Sequence, residues 1–216
     1  MRHSENPNLI LHYDPIFEGL RVQTERGPLV VPYLKRSKHV LEQSLQQYGR
    51  TFAFRLDLRF PAGFSFPLIN NNTVMERFFA SFKARVRYNR DRALADNRYA
   101  HDTLVRYIWC REFGQHGIPH YHLVILLNYN AFCTLGIFEL GRDNLFNQAH
   151  SAWASSLGLD IFSTTGLVEF PENPFYILRR GDQQAIGDFF YRASYLCKAH
   201  TKHYGDGTHG FGSSRV

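Results

Sequence analysis

From Thr51 to Phe60 every second residue is large and apolar: Phe52, Phe54, Leu56, Leu58 and Phe60 alternate with Ala53, Arg55, Asp57 and Arg59. Side chains on a strand point to opposite faces in turn, so this run is a β-strand with one wholly apolar face and one that carries charge. Such a strand needs a sheet around it and a layer over its apolar side. His120 to Asn128 is almost continuously apolar, as expected of a central strand covered on both faces. Between the two, Thr73 to about Arg92 reads as a helix, with Thr73 and Glu76 spaced as a capping box and Met75, Phe78, Phe79, Phe82 and Val86 as its apolar stripe.

Thr103 to Phe113 reads as a strand that returns into His120–Asn128 through the turn-rich stretch Gly114–Pro119. A helix over Asn144–Leu157, closed by Gly158, a strand over Leu167–Phe170 and a long last helix from Asp182 to about Lys202 follow. The Gly- and Ser-rich tail from Gly205 is expected to be loose. Upstream lie a short strand within Leu9–Tyr13 and a helix over Lys38–Tyr48 stopped by Gly49. Residues 1–50 read as an N-terminal extension and 51–216 as the main domain. This order predicts an α+β fold, an antiparallel sheet in a split βαβ, ferredoxin- or RRM-like arrangement with helices on one face. Arg55, Asp57 and Arg59 would then stand on the open face.

Composition excludes several classes. A 216-residue chain that is 44% hydrophobic and 15% aromatic is neither disordered, collagen-like nor a simple coiled coil. Cys110, Cys133 and Cys197 form no Cys-x-x-Cys pair, which argues against a disulfide framework or a thiolate zinc site and fits a reducing cytoplasm. The apolar run Leu123–Leu127 is far shorter than the roughly 20 residues of a membrane span, and Met1–Asn8 is polar, so neither membrane association nor a signal peptide is expected. The net charge of +6 is concentrated on the Thr73–Arg92 helix, in Arg77, Lys83, Arg85, Arg87, Arg90 and Arg92. A basic cluster of this kind suits a phosphate backbone, although a solvated helix face has the same composition.

Two places carry chemistry. His120 and His122 are two apart on a strand, so their imidazoles project to one side. If Gly114–Pro119 forms most of the hairpin loop, Glu112 lies opposite His120 and shares its face. Two imidazoles and a carboxylate make a facial site for a divalent cation, with Asp57 on a neighbouring strand as a rival or additional ligand. Lacking thiolates and lying near basic residues, such a site suits Mg²⁺ or Mn²⁺ polarising a phosphate oxygen; Zn²⁺ would bind the same ligands. A one-residue slip of register would put Glu112 on the wrong face. In the last helix Tyr191 and Tyr195 are four apart, with Lys198 on the same stripe. A tyrosine hydroxyl is a poor nucleophile unless activated, and a neighbouring ammonium favours its phenolate. An ordinary amphipathic helix with a snorkelling lysine has the same pattern.

Taken together, Arg106-Tyr-Ile-Trp-Cys-Arg-Glu112, Pro119-His-Tyr-His122, Phe190-Tyr-Arg-Ala-Ser-Tyr-Leu-Cys-Lys198 and Lys202-His-Tyr-Gly205 resemble the HUH endonucleases. The wording is similar to the rolling-circle replication proteins of filamentous phages and related prophage elements, over roughly Thr51 to Val216. That resemblance implies nicking and joining of single-stranded DNA in the cytoplasm of a bacterial host. His120, His122 and Glu112 would hold the cation, and Tyr191 or Tyr195, with Tyr191 slightly ahead for the first attack, would form a 5′-phosphotyrosyl link assisted by Lys198. Arg55, Arg59, Lys83, Arg85, Arg87, Arg90 and Arg92 would meet the DNA. The first strand departs from the hydroxyl-rich strand of plasmid initiators, which leaves the role of Asp57 open. No Gly-Lys-Ser/Thr nucleotide loop is present, so unwinding is expected from a host helicase, with a host polymerase extending the 3′ end at a replication origin. A relaxase, a transposase and a non-catalytic sheet-based binder of single-stranded nucleic acid are the alternative readings.

Overall fold

The structure, a computed structural model, describes residues 1–64, 72–114, 117–200, 202, 204–205 and 207–215. Most of the loop expected after Phe60, part of the 114–119 connection and parts of the tail lie outside the described residues. Four two-residue strands come first: β1 (Leu11–His12), β2 (Ile16–Phe17), β3 (Leu20–Arg21) and β4 (Leu29–Val30), with β1 paired to β4 and β2 to β3. Helix α1 (Val31–Gln47) follows directly, with Pro32 in its first turn, where a missing N–H costs nothing. It begins about two turns ahead of the expected Lys38.

The main sheet is antiparallel and six-stranded. Its members are β5 (Arg50–Arg59), β6 (Arg106–Phe113), β7 (Pro119–Asn128), β8 (Val168–Glu169), β9 (Phe175–Arg179) and β10 (Phe211–Ser213). They run β10-β6-β7-β5, and both β8 and β9 pair with the outer edge of β5. The mixed α+β class and the antiparallel sheet agree with the sequence expectation.

On the first face, Phe52, Phe54, Leu56 and Leu58 of β5 and Tyr121, Leu123, Ile125 and Leu127 of β7 are fully buried. They pack against α2 (Thr73–Asp96), through Met75, Phe78, Phe79 and Phe82, and against α3 (Leu145–Leu157), through Ala149, Ala152 and Trp153. At about 1.5–3 kcal/mol for each large side chain removed from water, this layer is the principal core. Helix α3 has the expected ends: the Asn144 side chain accepts from the Asn147 N–H (2.9 Å), and Gly158 caps it at φ 71°. Helix α2 starts at Thr73 as expected, but Asn72 occupies the cap position, so Thr73 is its first helical residue rather than the cap of a capping box.

The expectation of helices on one face alone is corrected. A second core lies on the other side, where Leu34, Val40 and Leu41 of α1 and Phe189, Phe190 and Ala193 of α4 (Gln183–Ser194) cover Ala53, Ile108, Val124, Leu126 and Leu178. The alternation within β5 makes this face look charged. The neighbouring strands supply Ile108, Val124 and Leu126 to the same face, and those residues demand a cover. Residues 1–50, read as an extension, contribute Phe17, Val22, Leu29, Leu34, Val40, Leu41 and Leu45 to this second core.

Two further expectations are corrected. The last helix ends at Ser194, not near Lys202; Tyr195–Cys197 forms a 3-10 turn and Lys198 is extended (φ −56°, ψ 140°). The chain turns there so that Leu196 and Cys197 enter the second core, and Ala199 is buried beside them with its N–H donating to the Pro28 carbonyl (3.0 Å). Tyr191 and Lys198 therefore do not share a helical stripe. The tail is not loose throughout, because β10 pairs Phe211, Gly212 and Ser213 with Cys110, Trp109 and Ile108. Among the described residues, no helix is long and apolar enough to cross a membrane.

Candidate metal centre

The second face loses its helical cover at one end, and the chemical residues collect there. The β6–β7 register sets Glu112 opposite His120 and Cys110 opposite His122, as the hairpin reading requires. The β5–β7 register sets Asp57 opposite His122 and Arg59 opposite His120. Glu112, His120 and His122 each offer a ligand atom, and those atoms lie within 4.8 Å of one another. Glu112 and His122 are buried, while His120 is half-buried and opens the group to solvent.

Asp57, expected as a rival or additional ligand, stands beside this three-residue group and bonds His122 from behind. Its Oδ1 lies 2.7 Å from His122 Nδ1. With the proton on Nδ1 donated to Asp57, the Nε2 lone pair is free. Nε2 is buried without a hydrogen-bond partner among the described residues, 3.5 Å from Glu112 Oε2. An orphaned imidazole nitrogen beside a carboxylate and a second imidazole fits a facial divalent-cation site, with Asp57 orienting one ligand.

The charges are set by neighbours. Burial acts to raise the Glu112 carboxyl, but His122, Lys202 and Lys198 outweigh it and hold it well below the usual carboxylate range. Lys198 Nζ and Lys202 Nζ lie 3.5 and 3.4 Å from Glu112 Oε1. Burial followed by the His122 charge lowers the His120 imidazole below its ordinary value. At His122 burial works downward, yet the Asp57 and Glu112 carboxylates prevail and raise it. Lys202 is a residue of this site that sequence reasoning misses, because a cation four residues beyond Lys198 has no telling spacing until the chain leaves the helix.

Tyr195 reaches the cluster. Its ring meets the His122 ring edge-on at 5.6 Å, and Lys198 Nζ sits 3.4 Å from its centroid. Arg55 and Arg26 approach the same ring at 5.9 and 6.0 Å. Tyr191 lines the same cleft, of about 570 Å³, with Arg26, Arg55, Asp57, Arg192 and Tyr195. Its hydroxyl donates to Glu25 Oε1 (3.1 Å), and that bond pushes the phenol above its ordinary range. Arg26 and Glu25 come from the segment before α1, where nothing in the sequence marks them.

The expected DNA-binding set divides. Arg55 faces the cleft, while Arg59 pairs with Glu169 (2.8 Å) at the sheet edge. Lys83, Arg85, Arg87, Arg90 and Arg92 ride on α2, on the first face of the sheet, away from the metal cluster. Arg90 lies over the Phe132 ring and Arg92 pairs with Asp143 (2.9 Å). These five do not form one stripe beside the cleft, because α2 turns their side chains in several directions.

The chain is similar along nearly its whole length to two proteins of Escherichia coli (strain K12). It is 33% identical to the uncharacterized protein YfjJ over 207 residues, 89% of this chain and 98% of YfjJ. It is 29% identical to the uncharacterized protein YagK over 204 residues, 90% of this chain and 97% of YagK. No solved structure matches the chain. Residues 13–214 match the family described as the YagK/YfjJ C-terminal domain, a span that takes in both core layers and every member of the metal cluster, and the chain therefore belongs to that family.

Proposed function

We propose that this protein is a metal-dependent endonuclease that nicks and rejoins single-stranded DNA through a tyrosine, in the manner of HUH rolling-circle initiators with a ferredoxin-like core. The observation that carries this reading is the contact of Tyr195 with His122 inside the Glu112–His120–His122 cluster. Mg²⁺ or Mn²⁺ held by those three residues would polarise an oxygen of the scissile phosphate. Asp57 keeps His122 in the tautomer that ligates. Lys202 and Lys198 fix the Glu112 carboxylate, and Lys198 also places positive charge on the face of Tyr195. Arg26 and Arg55 add charge beside the same ring, where an incoming phosphate would sit.

The Tyr195 oxygen attacks phosphorus and the 3′-oxygen leaves. The phenol loses its proton, the 3′-oxygen gains one, and a 5′-phosphotyrosyl link and a free 3′-OH result. Tyr191, in the same cleft, is suited to the reverse or second transfer once Glu25 releases it. Helicase and polymerase of a bacterial host would complete replication from an origin. A purely sheet-based binder is less well supported, since it needs an open sheet face for bases and both faces here carry helices. Relaxases and transposases share this chemistry, and the location of the nick separates them from initiators.

The test is incubation with Mn²⁺ and labelled single-stranded oligonucleotides that tile the DNA flanking the coding sequence. A protein–DNA adduct resistant to denaturation is expected, retained in Tyr191→Phe and lost in Tyr195→Phe. The reading fails if no oligonucleotide gives an adduct, or if the adduct survives in the double Tyr191→Phe, Tyr195→Phe protein.

A further inference from the structure

On the far side of the sheet from β8 and β9, the β10 edge lies in a groove between α1 and α2. Two cavities form it, of about 620 and 360 Å³, and both are lined by Lys83 and Arg215. Each lies in the size range of a small-ligand pocket. Five cations line the pair (Arg36, Lys83, Arg87, Arg106 and Arg215) against three carboxylates (Glu76, Asp91 and Asp102). Aromatic rings stand among them: Tyr33 and Phe211 stack at 4.3 Å and 6°, and Lys83 Nζ lies 5.1 Å from the Tyr107 centroid.

Arg106 gives the groove its direction toward anions. It is 6% exposed, it lines the smaller cavity, and its Nε and Nη1 have no hydrogen-bond partner among the described residues. The Tyr48 ring lies 5.9 Å from its guanidinium carbon. The Nε and Nη1 nitrogens are shielded from solvent, on the sheet face that Arg106 shares with Leu126, so Arg106 acts on the groove through its under-compensated buried charge, which an anion lying there partly offsets.

We infer that this groove is a second binding site for single-stranded DNA, separate from the catalytic cleft. Phosphates lie along Arg36, Lys83, Arg87 and Arg215 above the buried charge of Arg106, and bases extend the Tyr33–Phe211 stack. A single strand is favoured because only unpaired bases offer faces to aromatic rings. Phe211 pairs with Cys110 and Cys110 with His122, so the groove begins two strand spacings, about 10 Å, from the metal cluster. It is placed to hold the flank of a strand whose scissile phosphate sits in the cleft. The choice of DNA rests on the proposed function; the charge and stacking do not.

The experiment measures binding without cleavage, by fluorescence anisotropy of a labelled 20-nucleotide oligo-dT in EDTA. The groove variant is Arg36→Gln/Arg215→Gln. The control, Arg98→Gln/Arg142→Gln, removes equal charge from exposed positions that line neither cavity. The groove variant is expected to bind about tenfold more weakly, and its log–log salt slope to be shallower by about 1.4, at roughly 0.7 for each phosphate no longer neutralised. The control is expected to change affinity less than about twofold, and a duplex of the same length to compete poorly. The inference is overturned if the groove variant binds like the unaltered protein, if the control weakens binding as much, or if the duplex competes equally. The two readings fail separately. Groove-dependent binding without any tyrosyl adduct would remove the nicking activity and leave this site, and an adduct with groove-independent binding would do the reverse.

Discussion

In the proposed metal site, replacing Asp57 distinguishes a residue that orients a ligand from one that would bind the ion. Asp57 Oδ1 lies 2.7 Å from His122 Nδ1, and both side chains are largely shielded from solvent, at 14% and 11% exposure. The carboxylate fixes the ring and adds electron density to it, and loss of such a partner behind a metal-bound histidine costs about 10–100-fold in metal affinity. That range corresponds to about 1.4–2.7 kcal/mol. In Asp57→Asn the amide oxygen can still accept from Nδ1, so the tautomer survives and only the charge is lost; the effect belongs at the low end. In Asp57→Ala the Nδ1–H loses its acceptor and the ring its anchor, which places that variant at the high end. His122→Ala removes a ligand outright and should bind most weakly. Calorimetric titration of each protein with Mn²⁺, after circular dichroism has shown an unchanged fold, gives the order directly. Equal losses in Asp57→Asn and His122→Ala would make Asp57 a ligand, and an unchanged Asp57→Ala affinity would detach it from the site altogether.

Two other outcomes follow from the cores. His150 is buried, its Nδ1 bonds Thr164 Oγ1 (2.7 Å) and its Nε2 has no partner among the described residues, so burial pulls its pKa down to about 4. The unfolded chain, titrating near 6.5, then binds the extra proton first; stability should fall as pH drops below about 6.5 and level off below about 4, by about 3 kcal/mol in all. Urea unfolding at pH 7.5 and 4.5 should show that loss in the native protein and a reduced one in His150→Asn; equal losses would refute it. A side chain on Gly212 would place its Cβ 2.5 Å from the Trp109 indole, so Gly212→Ala should destabilise by about 1–3 kcal/mol and shift the tryptophan emission. An unaltered urea midpoint would show that Trp109 can move aside at no cost.

The sequence by itself determined the elements whose pattern is local. The alternation over Thr51–Phe60, the apolar run of β7, the stripe of α2 and the Asn144 and Gly158 caps of α3 each follow from period or capping chemistry within a few residues. The Glu112–His120 pairing was legible for the same reason, since a short hairpin fixes its own register. Tertiary structure decided the rest. Whether a sheet face is open depends on what neighbouring strands add to it, and Ile108, Val124 and Leu126 turned the second face from open to covered. The end of α4 was decided by burial of Leu196, Cys197 and Ala199, which bends the chain at Tyr195 and carries that tyrosine to His122 while Tyr191 stays with Glu25. Asp57 behind His122, Lys202 on Glu112 and Arg26 beside Tyr195 join residues far apart in the chain. No periodicity carries such distances; only the packing of one layer on another brings those charges together.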